Sequence, residues 1–341
     1  MANHLDIGHL AVKDESQRFD LNAFKVLGAS FAIAKHLAAL IGLAEDELTF
    51  DAVVSHREVY RDVTFVTATD GNHGRAVAWS AQLFGCRSVV YMPKGTAPAR
   101  LDAIRSYGAE ASITLLTYDE AVLYAERQSH SEGWVLLQDT SGETYEQVPL
   151  DIMHGYATLV TEVIRQHVDP PLTHVFLQAG VGSMAAAVIA FMHRYRPSSI
   201  PTFVIVEPEG APCLYESGKT AAGTITTIEG DLPTIMAGLA CGTPSLIAWD
   251  ILSRSANAFL RCADRVAIRG MRVLGQPQSG DLPITSGESG AVTLGALLEI
   301  LTDQKYQHIR DDLGLNSHSS VLLFSTEGDT DPQFYCTVLE P

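Results

Sequence analysis

Short runs of β-branched and apolar residues recur along the chain at 64–67, 88–92, 111–115, 134–137, 174–178 and 202–206. Between them lie longer stretches in which apolar residues return every three or four positions. Runs of four or five with few charges read as strands buried on both faces, and the longer stretches as helices with one apolar side. The spacing predicts helices over 29–41, 74–84, 99–107, 118–129, 154–167 and 183–195, most of them rich in alanine. Strand and helix alternate, which predicts repeated βαβ units and a mostly parallel sheet, an α/β fold. No repeat or low-complexity segment breaks the alternation.

Composition narrows the class. The 341 residues are 46% hydrophobic and 18% charged, enough to bury a large core and to fill two ordinary domains. A formal charge of −17, from 23 Lys and Arg against 40 Asp and Glu, argues against a nucleic-acid or anionic-membrane surface. The five cysteines (Cys86, Cys213, Cys241, Cys262, Cys336) are scattered, odd in number and form no C-x-x-C pair, so free thiols in a reducing compartment are expected. The first residues carry no basic leader and no run reaches membrane-spanning length, so a cytoplasmic protein is the expectation. The twelve histidines have no H-E-x-x-H spacing, and neither a G-x-S-x-G elbow nor a G-x-x-x-x-G-K-[ST] loop is present. Metal, serine-hydrolase and P-loop chemistries therefore lack their motifs.

Four stretches carry candidate chemistry. In Val12-Lys-Asp-Glu-Ser-Gln-Arg-Phe-Asp-Leu-Asn-Ala-Phe-Lys25-Val-Leu-Gly28 a charged, turn-rich lead-in ends in Lys25, between Phe24 and an apolar helix. Burial there disfavours an ammonium ion and would leave a nucleophilic amine suited to Schiff-base formation. In Thr67-Ala-Thr69-Asp70-Gly71-Asn72-His73-Gly74 a strand turns into a helix around two glycines. Such a turn either offers N–H groups to an anion or is an ordinary N-cap made by Asp70 or Asn72. Asp139, in Gln138-Asp139-Thr140 at a strand end, is an acid/base candidate or a turn residue. Gly180-Val181-Gly182-Ser183-Met184-Ala185 opens a helix after a strand, and its G-x-G-x-x-A wording, with Glu207 ending the next strand, also fits a dinucleotide site. A nicotinamide oxidoreductase is thus a rival reading, though the fingerprint lies mid-chain and gives Lys25 and Asn72 no role.

The segment Lys-Asp-Glu-Ser-x-Arg-x-x-x-Asn-Ala-Phe-Lys-x-Leu-Gly resembles the cofactor-lysine segment of fold-type II pyridoxal-phosphate enzymes, which include serine/threonine dehydratases, serine racemase and cysteine synthase. Its wording, with Thr-Asp-Gly-Asn-His-Gly and Gln-Asp-Thr, is most similar to the diaminopropionate ammonia-lyase family. The likeness runs from Val12 to Asp331 and implies two open, twisted, mostly parallel sheets flanked by helices. It implies a large domain of 1–44 with 151–341, a small domain of 45–150, and a homodimer. Relative to the family the chain reads as short before Lys25.

For the site, the resemblance implies pyridoxal 5'-phosphate linked to Lys25 beside Phe24. Asn72 would meet its phenolic oxygen, and Gly180, Val181, Gly182, Ser183 and Met184 its phosphate. Thr326 would meet the ring nitrogen, and Glu288 lies near the ring or caps its own helix. Thr69, Asp70, Gly71, Asn72 and His73 would hold the substrate carboxylate, with His73 packed in the loop rather than acting as a base. Where racemase-like members have serine the chain has Asp70, a far stronger base at neutral pH. By likeness Asp70 serves the D-substrate and Asp139 the L-substrate, in an elimination that turns 2,3-diaminopropionate into pyruvate and two ammonia. A serine or threonine dehydratase, and a catalytically silent cofactor-binding protein, are the alternatives. Met236-Ala-Gly-Leu-Ala-Cys-Gly242 resembles a dehydratase segment and is given no role.

Overall fold

The structure, a computed structural model, describes residues 1–69, 71–166, 169–195, 197–220, 223–278 and 280–340. Asp70 and His167, the expected end of one helix, therefore lie outside the described residues. The strands are β1 (His9–Asp14), β2 (Thr64–Ala68), β3 (Arg87–Met92), β4 (Glu110–Ile113), β5 (Val135–Leu136), β6 (His174–Gln178), β7 (Thr202–Pro208), β8 (Ala258–Cys262) and β9 (Ser320–Ser325). The helices that bear on the site are α1 (Val26–Ile41), α2 (Asn72–Phe84), α3 (Gln147–Gln166), α4 (Ser183–Tyr195), α5 (Cys213–Gly218), α6 (Asp264–Gly275) and α7 (Glu288–Thr302).

The chain forms two compact units, Phe24–Tyr156 and Met1–Ala23 with Ala157–Pro341. The sequence placed 24–44 and 151–156 with the larger body, whereas here they fall in the smaller one. The reason is local packing. A Cβ on Gly155 would lie 2.2 Å from the Leu27 carbonyl oxygen, and one on Gly28 would lie 2.6 Å from Tyr156. The two glycines let α1 and the first half of α3 touch backbone to backbone. Pro149 sits in the first turn of α3, where a missing N–H leaves no bond unmade, so the helix begins before the expected 154.

Within Phe24–Tyr156 four parallel strands run in the order β4-β3-β2-β5. All five residues of β2 are buried, as an apolar run in a covered parallel sheet requires. The ladder from β2 to β5 is short, pairing Phe65 with Val135 and Val66 with Leu136.

In the other unit five parallel strands run β1-β9-β6-β7-β8. β6 and β9 are buried throughout. Phe176, Val204, Val206, Val321 and Leu323 form one core with α6 and α7. Because each sheet is parallel, the carboxyl ends of its strands share one edge, where ligands of open α/β sheets bind. Residues 69, 71–74 and 137–142 lie at that edge in the smaller unit, and 179–184 and 326–328 in the larger.

The Gly28–Gly155 crossing has a measurable consequence. Gly155→Val should cost about 1–3 kcal/mol by overpacking, lowering Tm by roughly 2–4 °C per kcal/mol. Gly142→Ala, at a glycine with nothing within 4 Å of an added Cβ, should leave Tm close to wild type. Equal effects in thermal unfolding would refute the packing argument.

Candidate active site

The lead-in to Lys25 is held by charge. Lys13 Nζ lies 2.7 Å from Glu15 Oε1 and 2.7 Å from Glu162 Oε2. Arg18 donates to Glu15 Oε2 through Nε at 2.8 Å and to Glu162 Oε1 through Nη1 at 3.0 Å. Two cations and two carboxylates close a ring, with the Glu15 side chain wholly buried. Arg18, at hydrogen-bonding distance, holds the Glu162 carboxyl down at about 2 against the opposing effect of burial. Immediately downstream Phe19, Asp20 and Asn22 adopt φ of 50°, 59° and 54°. That left-handed region costs L-residues about 1–2 kcal/mol each, with asparagine and aspartate the most tolerant. Gly328 N donates to Asn22 O at 2.8 Å, and Ala23 forms a β-bridge with Glu327.

Lys25 occupies the N-cap position of α1. Its Nζ donates to Asp139 Oδ2 and lies 5.5 Å from the Phe24 ring centroid. Asp139 is only 3% exposed. Burial pushes its carboxyl pKa up, but the Lys25 ammonium outweighs burial and lowers the value to about 2. The desolvation expected at Lys25 is thus answered by an opposite charge, which favours the ammonium form. His73 is buried, and its Nε2 lies 2.8 Å from Leu137 O, so the proton sits on Nε2 and is donated to that carbonyl. Burial lowers the His73 pKa although Asp139 opposes it, and the ring is neutral at neutral pH.

Beside this pair the β2–β5 ladder is completed by side chains. Gln138 Oε1 accepts from Ala68 N at 3.1 Å while Gln138 Nε2 donates to Ala68 O at 3.1 Å, so the carboxamide replaces a strand residue. Tyr145 donates to Leu136 O and accepts from Gln138 N, both at 2.9 Å. These bonds fix the two residues before Asp139 and the segment leading to 69–74. In that loop Thr69 Oγ1 accepts from Gly71 N at 2.9 Å and Gly74 N at 3.2 Å. One of the amides expected to face a carboxylate, that of Gly71, is therefore engaged by Thr69. Asn72 opens α2.

In the other unit Gly180, Val181, Gly182, Ser183 and Met184 form the turn from β6 into α4. Gly182 has φ 95°, a conformation that favours glycine. A Cβ on Gly180 would lie 2.9 Å from Cys241 Sγ. Neither position leaves room for a side chain, and the turn leads into a 13-residue helix whose first N–H groups are of the kind that can meet an anion. Thr326 follows β9 and is buried, and its Oγ1 accepts from Gln178 Nε2 at 2.8 Å. The hydroxyl proton is left to point at another acceptor. Glu288 is buried in the first turn of α7. The cap there comes from Glu327, whose Oε1 accepts from Ser289 N at 2.9 Å.

Glu207 decides against the dinucleotide rival. Its Oε1 accepts from Leu214 N at 2.8 Å and its Oε2 from Tyr215 N at 2.6 Å. It is 0% exposed and burial raises its pKa to about 8, so both oxygens cap α5 and none is offered to a ribose.

The residues present fit pyridoxal phosphate. In the smaller unit a lysine amine beside a buried carboxylate suits the group's aldehyde; in the larger, taken by itself, a Gly-x-Gly turn at a helix start suits a phosphate and a buried hydroxyl suits a ring nitrogen. Two buried polar atoms without a hydrogen-bond partner among the described residues, His73 Nδ1 and Tyr156 Oη, lie where both Lys25 and Asp139 are felt. Tyr156 and Gln138 had no assigned role in the sequence. The one signal for Gln138 was its place before Asp139, and for Tyr156 there was none. Among the described residues no His/Cys/Asp/Glu cluster could hold a metal and no helix is long and apolar enough to cross a membrane.

Comparison with known proteins supplies the lineage. Residues 1–312 match the family model described as pyridoxal-phosphate dependent enzyme. The chain is 46% identical over 341 residues to the diaminopropionate ammonia-lyase of Salmonella typhimurium, covering 98% of this chain and 84% of that one. It is 45% identical over 342 residues to the Escherichia coli enzyme, covering 99% and 85%. The crystal structure of the Escherichia coli enzyme in complex with D-serine superposes with a TM-score of 0.91 at 43% identity, covering 99% of this chain and 85% of that one. The chain belongs to the pyridoxal-phosphate dependent enzymes and, within them, to the diaminopropionate ammonia-lyase family.

Proposed function

We propose that the protein eliminates ammonia from 2,3-diaminopropionate, in both the D and L forms, releasing pyruvate and two ammonia with pyridoxal phosphate as cofactor. The observation that carries the reading is the Lys25–Asp139 pair at the head of α1, in a chain 46% identical to such an enzyme. When bound, the cofactor supplies the electron sink that lets the α-proton leave.

Lys25 would carry the cofactor through Nζ, with Phe24 alongside and Asn72 at the phenolic oxygen. Gly180, Val181, Gly182, Ser183 and Met184 would take the phosphate on backbone N–H groups, and Glu288 would flank the ring. Thr326 would donate to the ring nitrogen, an orientation supported by the bond it accepts from Gln178. A neutral hydroxyl leaves that nitrogen unprotonated, which suits β-elimination over amino-group transfer. Asp139, ionised at neutral pH, is the base assigned to the L-substrate, and Asp70 the base assigned to the D-substrate. His73, neutral with its proton committed to Leu137 O, does not compete for the proton. Thr69, Gly71, Asn72 and His73 would bound the substrate carboxylate. The reading includes a cytoplasmic homodimer. Five free cysteines suit a reducing compartment, and the dimer rests on likeness.

The direct test is pyruvate release by the purified protein with added pyridoxal phosphate. Both diaminopropionate isomers should turn over and L-serine, D-serine and L-threonine barely, while Lys25→Ala abolishes turnover. Asp139→Asn should lower the L-rate by about 10²–10⁴-fold and spare the D-rate. Activity confined to serine or threonine would sink the reading.

A second expectation concerns the cofactor-free protein. The folded-state pKa of Asp139 is about 2, below the ordinary value of about 3.9. A depressed carboxyl stabilises the fold above its unfolded pKa, and that contribution is lost as pH falls through about 2. In Lys25→Ala the ammonium is gone, burial dominates and the folded pKa rises, so the sign reverses. Lys25→Ala should be less stable than wild type near pH 7, with a gap that narrows toward about pH 4. Urea unfolding across that range measures it, and a pH-independent gap would contradict the assigned pairing.

A further inference from the structure

The hydroxyl of Tyr156 is a buried polar group that the proposed reaction leaves unused. Its ring is fully buried, 4.8 Å from the Phe24 ring between centroids, and held against α1 by the Gly28–Gly155 crossing. No described residue hydrogen-bonds its Oη. An unpartnered buried hydroxyl is a cost to the fold, and such a group in a native protein calls for a reason. Burial raises its pKa, so at neutral pH it is an O–H donor.

Among the described residues the titratable groups that feel Asp139 are Lys25, His73, Tyr145 and Tyr156. Three of them are committed. Lys25 donates to Asp139, His73 Nε2 to Leu137 O, and the Tyr145 hydroxyl to Leu136 O. In the reaction proposed above, Lys25 must give its nitrogen to the cofactor, and the ammonium that offsets the burial of Asp139 is then withdrawn. A buried carboxylate without such an offset takes up a proton and ceases to be a base.

We propose that Tyr156 is a positioning residue for the L-specific base: its hydroxyl donates a hydrogen bond to the Asp139 carboxylate when Lys25 is engaged, and keeps that carboxylate ionised. No covalent bond forms or breaks at Tyr156, whose proton remains on oxygen. The inference rests on the lyase reading and on Asp139 as the base for the L-isomer.

Tyr156→Phe removes one oxygen and keeps the ring. The cofactor-free variant should have a Tm equal to or above wild type, because the unpaired hydroxyl is gone. With cofactor, kcat/KM for L-diaminopropionate at neutral pH should fall about tenfold or more. The acid limb of its pH profile should move to higher pH, because losing a donor raises a carboxyl pKa. The D-isomer profile should keep its acid limb. An active variant with both profiles unchanged overturns the proposal, as does a lowered Tm with equal losses for both isomers, the mark of a packing role.

If wild type turns over neither isomer, the lyase reading fails. The test then passes to the absorption of the bound cofactor as a function of pH. A midpoint shifted in Tyr156→Phe supports the hydroxyl's influence on the Lys25–Asp139 pair, and an identical midpoint overturns it.

Discussion

A buried carboxylate is tolerated only where something offsets its charge, and in the Phe24–Tyr156 unit that something is one lysine. Asp139 is 3% exposed and Lys25 reaches it from the N-cap of α1. The geometry depends on where α1 begins, because a shift of one residue rotates a helical side chain by about 100°. The start of α1 is set by the Gly28–Gly155 contact, where backbone meets backbone with no side chain to adjust. The end of β5 is set by the Gln138 carboxamide and the Tyr145 hydroxyl. The cation and the anion are thus placed by two independent constraints, one a glycine crossing and the other a pair of polar side chains finishing a sheet.

The same logic holds upstream. Three left-handed φ values outside glycine within four residues, at Phe19, Asp20 and Asn22, are unfavourable in an isolated peptide. They persist between two anchors, the Lys13–Glu15–Arg18–Glu162 ring and the bridge from Ala23 to Glu327. Breaking a buried ion network by deleting one partner leaves an unpaired charge and costs several kcal/mol. The network and the bridge thus pin both ends of the strained stretch that leads to Phe24 and Lys25.

Legibility of the fold followed burial. The run at 174–178 and the helix at 183–195 appear in the structure with the bounds the sequence indicated, because the middle of each is apolar and Gly180 and Gly182 mark the turn between them. Two strands had no such signal. In β1, Lys13 and Asp14 end an edge strand with charge, and in β8, Arg261 interrupts the apolar run. Edge strands need only one apolar face and are often charged to block pairing. At the site, Lys25 and Asp139 were marked by motif wording, which says that a residue matters without saying what it touches. Tyr156 and Gln138 were silent because their chemistry comes from tertiary placement. A tyrosine in a helix and a glutamine at a strand end are ordinary until the neighbouring backbone closes around them.

The larger unit contains its own control on the electrostatics. Glu207 is as buried as Asp139 and accepts two backbone N–H bonds, at 2.8 and 2.6 Å, yet its pKa is raised to about 8. Asp139, with an ammonium in place of amide dipoles, is lowered to about 2. Two oriented N–H groups thus fail to offset burial where a full cation succeeds, and burial alone makes neither carboxyl a base. Glu207 commits both oxygens to the cap of α5. Asp139 stays ionised only while a charge or a donor stands beside it, so its basicity belongs to its neighbours. A site that must lend its lysine to a cofactor therefore needs a second donor, which is the part proposed for the Tyr156 hydroxyl, buried against Phe24 and without a partner among the described residues.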